Sequence, residues 1–435
     1  MQHPLLASFT ALTAAVMFAG CNNDTGSTEL PGQEEEHEHE HTDQPGRLVI
    51  GESNGSNSRV HVYDLESAAM AGDFALTYPP SAVYSSPGHR YAVIVQRDND
   101  QAQLLDSGLA VHDDHVHEDP PQLLSTTLNG VKPTHYQSHE GQAALFFDGD
   151  ADNARMASFQ LFSDASLESG PLLASQTLAT AHHGIAEPWE GYVLASHSDS
   201  NGGAASGITP YQLHGDHFHA SAPLATACPG LHGGAANQTH AVFGCQDGVL
   251  SVAFTENGFE DSKLPLSERI TQLVGHHELA QFAGFAGASL YAVNAAAGTT
   301  TLIDWAGGAV DGDGNPVAPA AFDLDAHGEH LAVLDNTGTL HVLEAADWSR
   351  KGQVTVLDTV GSGASAPRLA FSGVDDHLFI TDPARQSVIV VDLESVTVED
   401  TIELDFAPAG LAWTGFSEDG HDHEEEEDHD HDHEH

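Results

Sequence analysis

A strand–turn–strand unit recurs along most of this chain, and that recurrence limits the fold more than any other feature. Each unit opens on a small or proline-containing segment, enters an apolar strand, turns at Gly or Asp, and continues in a second alternating strand. Openings lie near Ser81, Pro133, Ala181, Pro229, Gln272, Pro319 and Pro367. Their spacing is roughly 45 residues, the length of a four-stranded propeller blade. Arg47-Leu-Val-Ile50 and Val60-His-Val-Tyr63 read as strands joined by a turn, and Ala143-Ala-Leu-Phe-Phe147, His240-Ala-Val-Phe-Gly244 and His377-Leu-Phe-Ile-Thr381 as second strands. Helical periodicity is nearly absent, and repeated β-units with few helices close radially. A last strand, 406–413, has the form of an opening with no unit behind it. It would complete a blade whose outer strands come from 47–78. The expectation is an all-β, single-domain β-propeller over 47–416, of about eight blades, or seven if the units are over-split. Pairing of the N- and C-terminal strands would close it.

The segments outside this domain have other compositions. Residues 4–20 are apolar, too short and too early for a membrane span, and residues 1–20 read as an export signal. The run Phe18-Ala19-Gly20-Cys21 resembles a lipobox, which would make Cys21 an acylated first residue; an ordinary signal peptide with a chance cysteine is the other reading. Residues 21–46 form a tether rich in His and Glu, and 417–435 a disordered tail of His, Asp and Glu, neither able to build a core. Tail histidines His37, His39, His41, His421, His423, His429, His431, His433 and His435 are candidate accessory metal ligands. Ordering such segments costs about 1–2 kcal/mol per residue, so they suit capture and hand-over better than tight storage.

Charge excludes one class of partner. The 435 residues carry 12 Lys plus Arg against 65 Asp plus Glu, a formal net charge of −53. Nucleic acid needs a basic patch and is excluded; an anionic membrane surface would repel the chain, leaving a lipid anchor at Cys21 as its route to a membrane. Such acidity fits a high-salt habitat or a field that attracts divalent cations. With Cys21 assigned to lipid, Cys228 and Cys245 remain. In an exported protein a disulfide is the default for such a pair, and two thiolate metal ligands the rival.

The chemistry-bearing residues are histidines, 31 in all. In His112-Asp113-Asp114-His115-Val116-His117, side chains two apart share a face of an extended segment. His115 and His117 would project together, and a bend at 113–114 could bring His112 round, with Asp114 adding a carboxylate. Imidazoles beside a carboxylate suit Zn(II). The motif nearly repeats at His214, His217 and His219. Unit openings also carry histidines: His135, His182, His183 and His232, with His276 and His277 in a similar place. Opening strands lie nearest a propeller's axis, so these would face one another at one end of the channel. The expected centre joins the 112–117 cluster to His135, His182 or His183. His139, His197 and His330 read as structural.

The run at 111–117, Pro133-Thr-His-Tyr with Phe147-Asp-Gly149, Ala181-His-His-Gly-Ile-Ala186, and Cys228-Pro-Gly-Leu-His-Gly233 with Phe243-Gly-Cys-Gln-Asp-Gly248 resemble the AztD family of periplasmic zinc chaperones. The resemblance spans about 47–413. It implies a β-propeller that binds Zn(II) in the periplasm, is not an enzyme, and delivers zinc to the solute-binding protein of a zinc ABC transporter. The chain departs from the family in Asp113, where a glycine is expected, and in its lipobox and long C-terminal tail. Two rival functions stand beside this one. A metal-dependent propeller hydrolase would keep an open coordination position for water, although the chain has no Gly-x-Ser-x-Gly, Gly-Lys-Ser/Thr or His-Glu-x-x-His motif. A passive surface metal buffer would bind without transfer.

Overall fold

In the computed structural model, residues 46–416 are described, except 55–56, 113–114, 171, 190 and 257. Side chains at 53–54, 57, 111–112 and 115–116 are not described either. The export signal, Cys21, both His-rich tails and Asp114 therefore lie outside the described residues.

Eight four-stranded antiparallel sheets form the eight blades of a propeller. Blade 1 is composite: from the axis outward it consists of Pro408–Gly415, Gly46–Asn54, Asn57–Asp64 and Ala69–Ala75. Blades 2 to 8 follow along the chain over 82–129, 133–177, 186–220, 234–265, 272–303, 319–355 and 369–403. The closing register pairs Leu48 with Trp413, Val49 with Ala412 and Ile50 with Leu411. The expected pairing of the two chain ends is thus present, and the count is eight.

Second strands explain why the sequence reads as short unbroken apolar runs. Tyr91–Gln96 and His330–Asp335 are buried at every position, because both faces of each sheet pack against a neighbouring blade. The core is accordingly divided. Eight apolar clusters sit one between each pair of adjacent blades, including Tyr91, Val93, Leu145 and Phe147 between blades 2 and 3, and Leu48, Ile50, Phe379 and Trp413 between blades 8 and 1. Such a ring offers two faces. We call the end of the channel where inner strands begin the entry end, and the end where they finish the exit end.

Two histidine-bearing turns stand between third and outer strands. Between the third and outer strands of blade 2, Leu109–His112 and His115–Glu118 form a separate two-stranded hairpin. Its backbone register sets His112 opposite His115 and Ala110 opposite His117. The hairpin base is fastened to blade 1 by Arg47, whose guanidinium donates to Ser107 O (2.5 Å) and Asp119 O (2.9 Å) and pairs with Asp64 (3.1 Å) and Glu118 (3.4 Å). In blade 4 the near-repeat lies at the equivalent turn, between third and outer strands, where His214 pairs with His217. Third strands run parallel to inner ones, so both hairpins lie at the exit end.

Candidate metal centre

Three histidines meet at the entry end. His135 is on the inner strand of blade 3, Pro133–His139. His183 and His232 lie in the segments leading into the inner strands Ala186–Trp189 and Gly234–Ala236 of blades 4 and 5. Equivalent places in three consecutive blades thus supply one ligand each. Nε2 of His135 is 3.1 Å from Nε2 of His183, and that atom is 3.4 Å from Nε2 of His232. Two imidazoles bound to one tetrahedral zinc, with Zn–N near 2.0–2.1 Å, hold their nitrogens about 3.3 Å apart. Both separations lie close to that value.

Hydrogen bonds at the far side of the rings set the tautomers. Nδ1 of His232 donates to Thr271 O (2.7 Å), and Nδ1 of His183 donates to Asp148 Oδ2 (3.0 Å). A carbonyl and a carboxylate can only accept, so each Nδ1 carries the hydrogen and each neutral ring turns an Nε2 lone pair to the centre. Lone pairs facing at this distance repel unless a cation or proton lies between them. Metal-ligating histidines are oriented by such outer partners. Asp148 is itself held by Arg97 at 2.6 Å, and its carboxyl is pulled below the usual range by His183 and Arg97 despite partial burial. Burial, helped by His183 and His232, pushes the His135 imidazole down to about 4. It is neutral and ready to ligate at any physiological pH.

The local sequence holds the ligands in place. Cys228 and Cys245 form a disulfide, which rules out the thiolate alternative. It ties the segment carrying His232 to the second strand of blade 5. The tie continues through His232 N to Gly244 O (3.0 Å) and Gly244 N to Gly233 O (3.1 Å). A Cβ at Gly244 would sit 2.6 Å from His232 O and 2.5 Å from Ile270 O, so only glycine permits this approach.

The other candidates are placed elsewhere. His182 is buried, with Nδ1 bonded to Thr180 O (3.2 Å) and Nε2 to Ser196 O (3.1 Å), so it braces the lead-in to blade 4 and does not join the cluster. The 109–118 hairpin stands at the exit end, away from His135 and His183. The described backbone does not bring the expected partners together: 109–112 and 115–118 leave blade 2 after its third strand, while His135 and His183 stand at the start of inner strands, and the side chains of His112 and His115 lie outside the described residues. His214, His217 and His219 form an exposed patch on the outer edge of blade 4, with His217 and His219 Nε2 atoms 3.2 Å apart.

A second group was missed. His139, Glu140 and His277 bring a ligand atom each within 4.8 Å of one another. His139 had read as structural, and His276 and His277 as opening residues. Both in fact follow the inner strand Gln272–Val274 and lie at the exit end. His276 is satisfied by Ala326 O (3.0 Å) and the Glu278 amide (3.3 Å). The available signal was the spacing of His135 and His139, which places both on one face of one strand, at its opposite ends. Between them Gln137 donates to Glu187 (2.6 Å) and Gly234 O (2.9 Å); burial pushes the Glu187 carboxyl up to about 8.

No family model matches the chain. Compared with curated proteins, it is 24% identical over 375 residues to one relative, covering 81% of this chain and 84% of the other. The chain is similar to the zinc chaperone AztD of Citrobacter koseri. Two solved structures of Citrobacter koseri AztD, one of them the apo form, superpose with TM-scores of 0.71 and 0.70 at 22% identity. Each alignment covers 86% of this chain and 99% of AztD. Dihydro-heme d1 dehydrogenase NirN superposes with a TM-score of 0.54 at 11% identity, over 84% of this chain and 74% of that one. The propeller is therefore shared with AztD and with at least one enzyme.

Proposed function

We propose that this protein is a zinc metallochaperone. It holds Zn(II) on His135, His183 and His232 and passes it to the solute-binding protein of a zinc ABC transporter. The observation that carries this reading is the convergence of three imidazoles, with His183 Nε2 at zinc spacing from the Nε2 of both His135 and His232, and two rings locked by Nδ1 donation. The likeness to the zinc chaperone AztD supports it. Three protein ligands leave a fourth position through which a second protein can enter and exchange ligands one at a time. Chelation by neutral imidazole also makes the affinity depend on pH.

The protein is exported to the periplasm and tethered through Cys21, and its His-rich tails collect ions for the folded centre. It does not turn over a substrate. Zinc-loaded protein, mixed with the apo binding protein in a chelator of intermediate affinity, should transfer its ion; H183A should not. Transfer blocked completely by the chelator would reduce the protein to a buffer, and hydrolysis by the zinc form alone would make it an enzyme.

A further inference from the structure

We propose that His214, His217 and His219 form a surface site for a borderline divalent cation such as Zn(II), on the outer edge of blade 4 and independent of the three-histidine centre. They stand on the hairpin that joins the third and outer strands of that blade, Gly207–His214 and His217–Ala220. Inner strands line the channel, and neighbouring strands are about 4.8 Å apart. The hairpin therefore lies two to three strand spacings outward, roughly 10–14 Å from the channel wall.

The sequence gives this hairpin two unlike faces. Its register pairs His214 with His217, Leu213 with Phe218 and Gln212 with His219. Residues opposite each other share a face, and successive residues alternate between faces. The three histidines thus project from one side, and Leu213 and Phe218 from the other. The apolar side is anchored: Phe218 is buried against Phe159 of blade 3, with ring centroids 5.0 Å apart and Leu213 and Tyr211 in the same cluster. The turn is Gly215-Asp216, and Gly215 is left-handed (φ 62°), a conformation that glycine supplies at the first position of a two-residue hairpin turn. The imidazoles are carried by a fastened strand pair, yet all three are exposed to solvent.

Within the trio the nitrogens are disposed to share an ion. His217 Nε2 lies 3.2 Å from His219 Nε2, close to the separation of about 3.3 Å for two imidazoles on one tetrahedral zinc. Nδ1 of His217 donates to Asp216 Oδ1 (3.2 Å), so its Nε2 carries a lone pair. The His214 ring stands edge-on to His219, with centroids 4.6 Å apart, and 6.5 Å from His217. Rotation of this exposed side chain, which takes picoseconds to nanoseconds, brings one of its nitrogens to the pair. Among the described residues, Asp216 is the one hydrogen-bond partner that these rings have outside the trio, so no structural duty accounts for three imidazoles in contact. The net charge of −53 draws cations to such a surface. Three nitrogen donors suit Zn(II), Cu(II) or Ni(II) and leave a position for water.

Modification of the full-length protein by diethyl pyrocarbonate, read residue by residue by mass spectrometry, tests the site with zinc as the probe. The reagent acylates an imidazole nitrogen only while no ion holds it. Modification of His214, His217 and His219 should slow about tenfold at a free zinc concentration about ten times the dissociation constant. The protection should be the same in H183A and should disappear at His214 and His219 in H217A. His217 is 62% exposed and buried Phe218 anchors the hairpin, so H217A keeps the fold. Tail histidines fall in other peptides and are read separately. Absence of protection in the wild type overturns the site and leaves two rings that share a proton only. Protection in H217A equal to that of the wild type overturns it as well, and loss of protection in H183A overturns its independence. A protein that protects these histidines but transfers no zinc to the binding protein would overturn the chaperone reading and not this one.

Discussion

Blades 3 to 5 and blades 7 and 8 both gather histidines, and they use them in opposite ways. In blade 7, His330 donates Nδ1 to Asp325 (2.8 Å) and has the Lys351 ammonium 3.1 Å from Nε2. In blade 8, His377 lies between Asp375 (2.8 Å) and Glu399 (2.6 Å), whose hydrogen bonds, Asp375 foremost, push it up to about 9. Both histidines belong to groups of three possible ligands. A ring nitrogen facing an ammonium, or a ring held protonated by two carboxylates, has no lone pair to give. In blades 3 to 5 the outer nitrogens of His183 and His232 are engaged and their inner ones converge with that of His135. What distinguishes a candidate metal centre from an ion-pair cluster is thus how each nitrogen is used, not how many ligand-type residues are near.

The largest test of that contrast is to remove ligands on each side. H183A/H232A should lower the affinity of the entry-end centre at least about 1,000-fold, or ~4 kcal/mol. H330A and H377A should leave it unchanged, as read by competition with a metal indicator. A comparable loss in H377A would erase the distinction. Next, C228S/C245S should lose about 3 kcal/mol of stability in denaturant melts, the value expected for a loop of this length. Because the bridge holds the segment bearing His232, zinc should also bind more weakly in this variant, with H330A unaffected. D148N should cost roughly 10–100-fold in zinc affinity, the usual loss when an outer partner of a ligating histidine is removed. An unchanged affinity would mean that ring orientation is set by packing alone.

The smallest effect belongs to blade 8. The His377 pKa is raised in the fold, so its ion pairs contribute fully below the unfolded value near 6.5 and are lost as pH rises through about 9. The pair is partly exposed, and its worth should stay under about 1 kcal/mol. The stability gap between wild type and H377A should shrink over that window; a gap flat with pH would show that the ring is not held protonated.

Much of the fold was legible because each blade repeats the same local rules. The orphan strand at 406–413 could be assigned to the first blade from its grammar alone, and pairing of Leu48 with Trp413 agrees. The centre was half legible. His135, His183 and His232 could be named because they recur at equivalent openings, yet adjacent His182 could not be told from His183. That difference depends on which ring meets Ser196 and which meets Asp148, a matter of rotation about the strand entry. The exit-end group was illegible for another reason: it joins blades 3 and 6, and no local pattern reports which residues face each other across a ring.

The composite blade also governs when the molecule comes into being. Its innermost strand, Pro408–Gly415, is made after every other strand of the propeller, while its partner Gly46–Asn54 is made before them. A nascent chain would carry an open strand edge until the last propeller strand had emerged, and such edges invite mispairing. The clasp therefore acts as a completeness check: a chain cut short before Pro408 keeps His135, His183 and His232 but has no means of sealing the ring that aims them.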